Sequence, residues 1–261
     1  MTLPLLQAVT ELATLAGDEA HRHFRTGVAV EFKGDGSPVT AADRAAETVA
    51  REWIRHWFPQ DGILGEEFGL ENPDAPRRWV LDPIDGTKSF IHGVALWGTL
   101  VAVVEGERVL AGAIYAPPTQ ELVAATPGEG AWFNGRRTFV SQTSSLDAAT
   151  LLITDERFPG RPTRQARWNT LADRARVVRT WGDCYGYLLL ATGRADVMVD
   201  DLMNPWDAAA VQVVIEEAGG KFSDFRNRPT AFGGDSIATN GALDTLVRDI
   251  LCPGGDPGLD A

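Results

Sequence analysis

From Leu3 to Phe24 apolar residues recur at helical spacing (Leu5, Leu6, Val9, Leu12, Leu15, Ala16), and a second such run spans Ala42 to Phe58. The pattern predicts two amphipathic helices at the start of the chain. Between them Lys33-Gly34-Asp35-Gly36-Ser37-Pro38 reads as a mobile glycine-rich turn, and Thr40 as the N-cap of the helix that carries Asp43. From Trp79 onward the period shortens to that of strands: Trp79 to Leu81, Gly98 to Val104, Val109 to Tyr115 and Glu121 to Ala125 predict a meandering sheet. The second half alternates. Leu151 to Thr154, Val177 to Arg179, Ala195 to Val199 and Lys221 to Ser223 read as strands. Arg164 to Ala175, Tyr185 to Thr192 and Pro205 to Ala218 read as helices, so helices should cover sheets. The run Cys252 to Gly258 is rich in glycine and proline and reads as a frayed end.

With 261 residues the chain suits one large unit or two closely packed halves. The halves would be residues 1–145, a helix pair with an antiparallel sheet, and 146–252, the alternating part, with a flexible tail over 253–261. No apolar run approaches the roughly 20 residues that cross a bilayer, and no basic segment leading into an apolar one opens the chain. A soluble cytoplasmic protein without membrane contact is the expectation. A formal net charge of −12 with no basic stripe argues against nucleic acid as partner and suits bound cations or a cationic substrate. Cys184 and Cys252 lie in no ligand-like spacing and read as small buried residues.

The chemistry concentrates in Trp79-Val80-Leu81-Asp82-Pro83-Ile84-Asp85-Gly86-Thr87, where an apolar strand runs into two carboxylates three positions apart. Pro83 cannot continue a ladder, so a backbone turn between Asp82 and Asp85 is expected to converge both side chains on one cation. Gly86 and Thr87 should open a helix whose N–H groups face an anion. Gly65-Glu66-Glu67 and Trp206-Asp207 add outlying carboxylates. Glu66, Asp82, Asp85 and Asp207 together supply the hard oxygen ligands that Mg²⁺ takes, and Glu66, Thr87 and Asp43 can orient a water toward a phosphate ester. Singly, each fragment has an ordinary structural reading, since Asp-Pro initiates turns and Gly-Glu-Glu is common on surfaces. Jointly they sit where apolar segments end or begin, which is where α/β proteins place sites.

The Gly65-Glu66-Glu67 segment, the Asp-Pro-Ile-Asp-Gly-Thr core from Asp82 to Thr87, and Trp206-Asp207-Ala208-Ala209 with Glu217-Ala218-Gly219-Gly220 closely resemble the inositol monophosphatase family in order and spacing. The resemblance implies a single phosphatase unit of α/β (α+β) class, a layered αβαβα sandwich, often dimeric and dependent on two or three Mg²⁺ ions. By position it implies metal ligation by Glu66, Asp82, the Ile84 carbonyl, Asp85 and Asp207. It gives phosphate contacts to Gly86 and Thr87, and water activation to Thr87, Asp43 and Glu66. It also makes the Lys33 loop the family's mobile flap. The run Trp181-Gly182-Asp183-Cys184-Tyr185-Gly186-Tyr187 and the Met203-Asn204-Pro205-Trp206-Asp207 segment resemble the histidinol-phosphate phosphatase branch.

Histidinol phosphate carries an ammonium near its phosphate, and a carboxylate facing it gains a charge-assisted hydrogen bond. Asp183 is the first choice for that carboxylate and Asp200, at the family's acidic substrate position, the second. A competing structural reading makes Asp183 the N-cap of the following helix. The rival function is an inositol-1-phosphatase or a broad sugar-phosphate phosphatase using the same metals. A different class, a non-catalytic relative that binds metal or phosphate, is disfavoured because every expected ligand position is acidic or hydroxylic.

Overall fold

Alternate residues of the central strands turn to opposite faces, and this sorting builds the layers. In the computed structural model, which describes residues 3–34 and 36–255, the chain opens with α1 (Leu5–His21), the hairpin of β1 (Val30–Phe32) and β2 (Pro38–Thr40), and α2 (Ala41–Trp57). Next come β3 (Gly62–Gly65), β4 (Gly69–Glu71), β5 (Arg77–Asp85), the short α3 (Thr87–Ile91), β6 (Gly98–Glu105) and β7 (Arg108–Ala116). Strands β8 (Glu121–Thr126), β9 (Gly130–Phe133) and β10 (Arg136–Arg137) complete the first sheet. The remainder is β11 (Thr150–Ile153), α4 (Pro162–Ala172), β12 (Val177–Arg179), α5 (Asp183–Ala191), β13 (Val197–Asp200), α6 (Pro205–Glu217), β14 (Lys221–Ser223), β15 (Ser236–Thr239) and α7 (Asp244–Leu251).

The first sheet has eight strands in the order β10-β9-β8-β7-β6-β5-β3-β4, antiparallel except where β3 runs parallel to β5. The second has five, β12-β11-β13-β15-β14, with parallel pairs β11–β12 and β11–β13. Trp79, Leu81, Val101 and Val103 pack under α1 and α2, whereas Val80, Leu100 and Ala102 turn to the opposite core with α5 and α6. The second sheet repeats the pattern. Leu152 and Met198 join the α5–α6 core, while Leu151, Ile153, Val197 and Val199 face Trp168 of α4 and Val247 of α7. The result is the αβαβα stack, and its middle core draws on both sheets.

Several elements differ from expectation. β5 does not turn at Pro83 but continues to Asp85, with a register shift against β6 between Asp82 and Asp85. A bulge there needs no donor from residue 83, so proline is tolerated inside a strand. The strands β1 to β4, β9, β10 and β15 and the helix α7 add to those anticipated; most are too short to show a period. α5 begins at Asp183 with Gly182 as N-cap and no side-chain cap bond, so Asp183 is not the cap. Pro253–Gly255 forms a 3-10 turn; the rest of the expected tail, residues 256–261, lies outside the described residues, as does Asp35 in the flap.

Candidate active site

The bulge in β5 is what brings two carboxylates together. Side chains three apart on a regular strand point to opposite faces, and the extra residue opposite Leu100–Gly98 of β6 cancels that inversion. The Pro83 carbonyl is held by the Thr99 hydroxyl at 2.7 Å, and Asp82 accepts the Ile84 N–H at 3.0 Å. A third carboxylate comes from the first turn of α6, where Asp207 accepts the Asn204 N–H at 2.7 Å in a capping box. Oxygens of Asp82, Asp85 and Asp207 lie within 4.8 Å of one another.

Three like charges gathered this closely repel. Burial first, and then the charges of Glu66, Asp85 and Asp207, raise Asp82 well above the ordinary carboxylate range; burial with Asp183 and Asp207 does the same to Asp85. Asp207 is pushed up to about 6, mainly by burial. A hard divalent cation fits this donor set, because it supplies the positive charge that the cluster otherwise lacks and takes oxygen ligands only.

Glu66 sits in the turn between β3 and β4, its N–H bonded to the Leu81 carbonyl at 3.2 Å. The Lys33 ammonium, from the β1–β2 turn, contacts Glu66 and Glu67 at 2.7 Å each. Asp43 is fully buried in the first turn of α2, where one oxygen accepts the Thr40 N–H and hydroxyl at 2.8 and 2.7 Å. Its other oxygen is 3.5 Å from the Thr87 hydroxyl, which donates to the Ile84 carbonyl at 2.9 Å. Burial raises Asp43 despite the Thr40 bonds.

A cavity of about 550 Å³ opens at Glu66, Gly86 and Thr87, and is lined also by Lys88, Thr154 and Asp183 among others. Gly86 takes φ of 90°, a conformation that favours glycine, and a Cβ there would meet the Leu96 carbonyl at 3.0 Å and Asp183 Oδ2 at 3.1 Å. The Asp183 carboxylate therefore stands against the turn expected to receive phosphate. Its N–H donates to the Thr154 hydroxyl at 2.8 Å, and the next N–H, of Cys184, donates to Asp85. Burial, opposed by the Lys88 charge, brings Asp183 to about 6.

The structure thus gathers Asp43, Glu66, Asp82, Ile84, Asp85, Gly86, Thr87, Asp183 and Asp207. Asp200 lies one step behind them, near enough to Asp183 to feel its charge. Its side chain is buried behind Thr154, accepting that residue's N–H at 3.2 Å and the Tyr187 hydroxyl at 2.8 Å, and it does not line the cavity. Asp201, one register away, is paired with Arg161 and Arg164 at 2.7 Å each. Thr154, expected at the end of a strand, and Asp155, Glu156 and Arg157, not expected at the site, also line the cavity. Their signal was available: a polar run directly after the strand end at Ile153, the position where α/β proteins build sites.

A model of the inositol monophosphatase family matches residues 2–253. The chain is 44% identical to a histidinol-phosphatase of Chlorobaculum parvum, over 97% of either chain. It is 36% identical to a histidinol-phosphatase of Mycobacterium tuberculosis, covering 86% of this chain and 88% of that one. The crystal structure of the extragenic suppressor protein suhB from Bartonella henselae superposes with a TM-score of 0.90 at 28% identity, over 96% of this chain and 99% of its own.

Proposed function

The chain belongs to the inositol monophosphatase family and is a phosphoric monoester hydrolase; within that activity we propose that it hydrolyses L-histidinol phosphate to L-histidinol and phosphate, with Mg²⁺ as cofactor. The carrying observation is the Asp183 carboxylate beside Gly86, because the ammonium of this substrate lies close to its phosphate and pairs with such a group. The histidinol-phosphatases among its relatives support the same reading. A polyol phosphate offers Asp183 hydroxyls only, which is why the inositol-phosphate alternative ranks second.

In this reading Asp82, Asp85, Asp207, Glu66 and the Ile84 carbonyl hold two or three Mg²⁺ ions. When bound, Mg²⁺ neutralises the phosphate oxygens and makes a nearby water more acidic. The Gly86 and Thr87 N–H groups receive phosphate oxygens. The Thr87 hydroxyl gives its proton toward the Ile84 carbonyl and Asp43, leaving a lone pair to accept from the attacking water, while Glu66 accepts the water's other proton. The water oxygen bonds to phosphorus as the ester P–O bond breaks in line, and the departing alkoxide takes a proton from solvent water to leave as the alcohol. A homodimer, cytoplasmic, serving histidine biosynthesis, completes the proposal; light scattering tests the first of these.

The test is phosphate release at fixed Mg²⁺ from L-histidinol phosphate, inositol 1-phosphate and fructose 1,6-bisphosphate, compared as kcat/KM. A preference of about a hundredfold for histidinol phosphate, close to 3 kcal/mol of transition-state discrimination, is expected. A flat profile or a preference for inositol phosphate would sink the substrate assignment and leave the metal site standing.

A further inference from the structure

Asp43, Glu47 and Arg51 follow one another at four-residue spacing on α2, and all three are buried. Asp43 reaches Thr87. Glu47 and Arg51 reach the β3–β4 turn, about twenty residues further along the chain. One Glu47 oxygen accepts the Glu67 N–H at 2.8 Å, and the other accepts the Phe68 N–H at 3.2 Å and Arg51 Nε at 2.8 Å. Two consecutive N–H groups converging on one anion form a nest, here filled by the protein's own carboxylate. Gly65 completes it, since a Cβ there would lie 2.0 Å from Glu47 Oε1. Arg51 grips the far side of the same turn through the Gly69 carbonyl at 2.5 Å and Glu71 at 3.0 Å. Glu66 is therefore tied on both sides: its own N–H to β5, the following two to Glu47.

We infer that Glu47 is a positioning residue for the cation site: its carboxylate, neutralised by Arg51, fixes the turn that presents the Glu66 carboxylate. The inference rests on the Mg²⁺ reading above. Ligands kept in place by buried partners lose about ten- to a hundredfold in metal affinity when the partner is removed. Glu47→Gln puts an amide where one oxygen now faces Arg51 or a turn N–H, and leaves Arg51 without its full counter-charge. The paired change Glu47→Met with Arg51→Met removes both charges together, so it leaves no orphan ion and keeps the fold testable.

The experiment is isothermal titration of the full-length chain with Mg²⁺ alone, with Tm in EDTA recorded beside it. A dissociation constant raised about tenfold or more in a folded variant is expected. A folded variant that binds Mg²⁺ within twofold of the wild-type value, whatever its Tm, would make Glu47 a scaffold residue only and overturn the inference. A wild-type chain that takes up no Mg²⁺ would overturn the metal assignment and this inference together, which separates the two failures.

Discussion

Asp183 holds φ of 50°, uncommon for a residue with a side chain, and its N–H is tied to Thr154 while its carboxylate faces Gly86. That strain is tolerable if the carboxylate has work to do in the cavity. Asp183→Asn keeps size and shape but cannot form the ion pair. It should cut kcat/KM for histidinol phosphate by roughly tenfold to a hundredfold, in line with a charged hydrogen bond of about 1.5–3 kcal/mol, and leave p-nitrophenyl phosphate nearly unchanged. Equal losses on both substrates would count against the ammonium contact. Asp200 makes a different prediction. Burial raises it to about 7 in the folded chain, above its ordinary 3.8, so folding favours its protonated form. The stability from that preference is complete below about pH 4 and drains away as pH rises through 7, at up to about 1.4 kcal/mol per pH unit. Asp200→Asn cannot ionise. Its stability relative to wild type should climb between about pH 4 and 7 in urea titrations and level off above; a constant difference would contradict the buried, neutral acid.

Among the elements, β5 carries the site, and its bulge depends on the bond from the buried Thr99 hydroxyl to the Pro83 carbonyl. Thr99→Val preserves the shape and removes that donor. A loss of about 1–3 kcal/mol in stability is expected for the orphaned carbonyl, with kcat lowered more than KM because Asp82 and Asp85 flank the bulge; an unchanged kcat would show the bulge to be set by packing alone. The carboxylates of β5 and α6 were legible in the sequence because they adjoin apolar runs long enough to show a period. Thr40 and Asp43 were legible as a cap, and the structure has the full capping box. Other features had no local signal. The Pro83 bulge is decided by the partner strand β6, which the sequence of β5 does not contain. Glu47 and Arg51 stand four apart on a helix, a spacing that exposed pairs share, and the β3–β4 turn that folds over them has no signal in α2. Asp200 matched a family position in register, but its direction is set by Tyr187 of α5 and by Thr154, the residue that follows β11.

At the scale of the whole molecule, the site stands where the helix pair, the large sheet, the middle helices and the edge of the second sheet converge. Its carboxylates arrive from β5 and α6, and from the turn after β3, so their mutual repulsion acts against the docking of whole layers. A cation bound there opposes that repulsion. Mg²⁺ at a hundredfold excess over its dissociation constant should stabilise the fold by about 2.7 kcal/mol, a rise in Tm of roughly 5–10 °C for a chain of this size, reversed by EDTA. Asp85 sharpens the test, because burial and the charges of Asp183 and Asp207 already raise its pKa well above the ordinary range. Asp85→Asn relieves one buried charge of the cluster. In EDTA its Tm should equal or exceed wild type, while the Mg²⁺-induced rise and the turnover of every phosphate ester are lost. Differential scanning calorimetry with and without Mg²⁺ reads both halves of that statement. If Asp85→Asn instead lowers Tm in EDTA and still responds to Mg²⁺, the three carboxylates are a structural knot held by their hydrogen bonds, and the cation binds elsewhere.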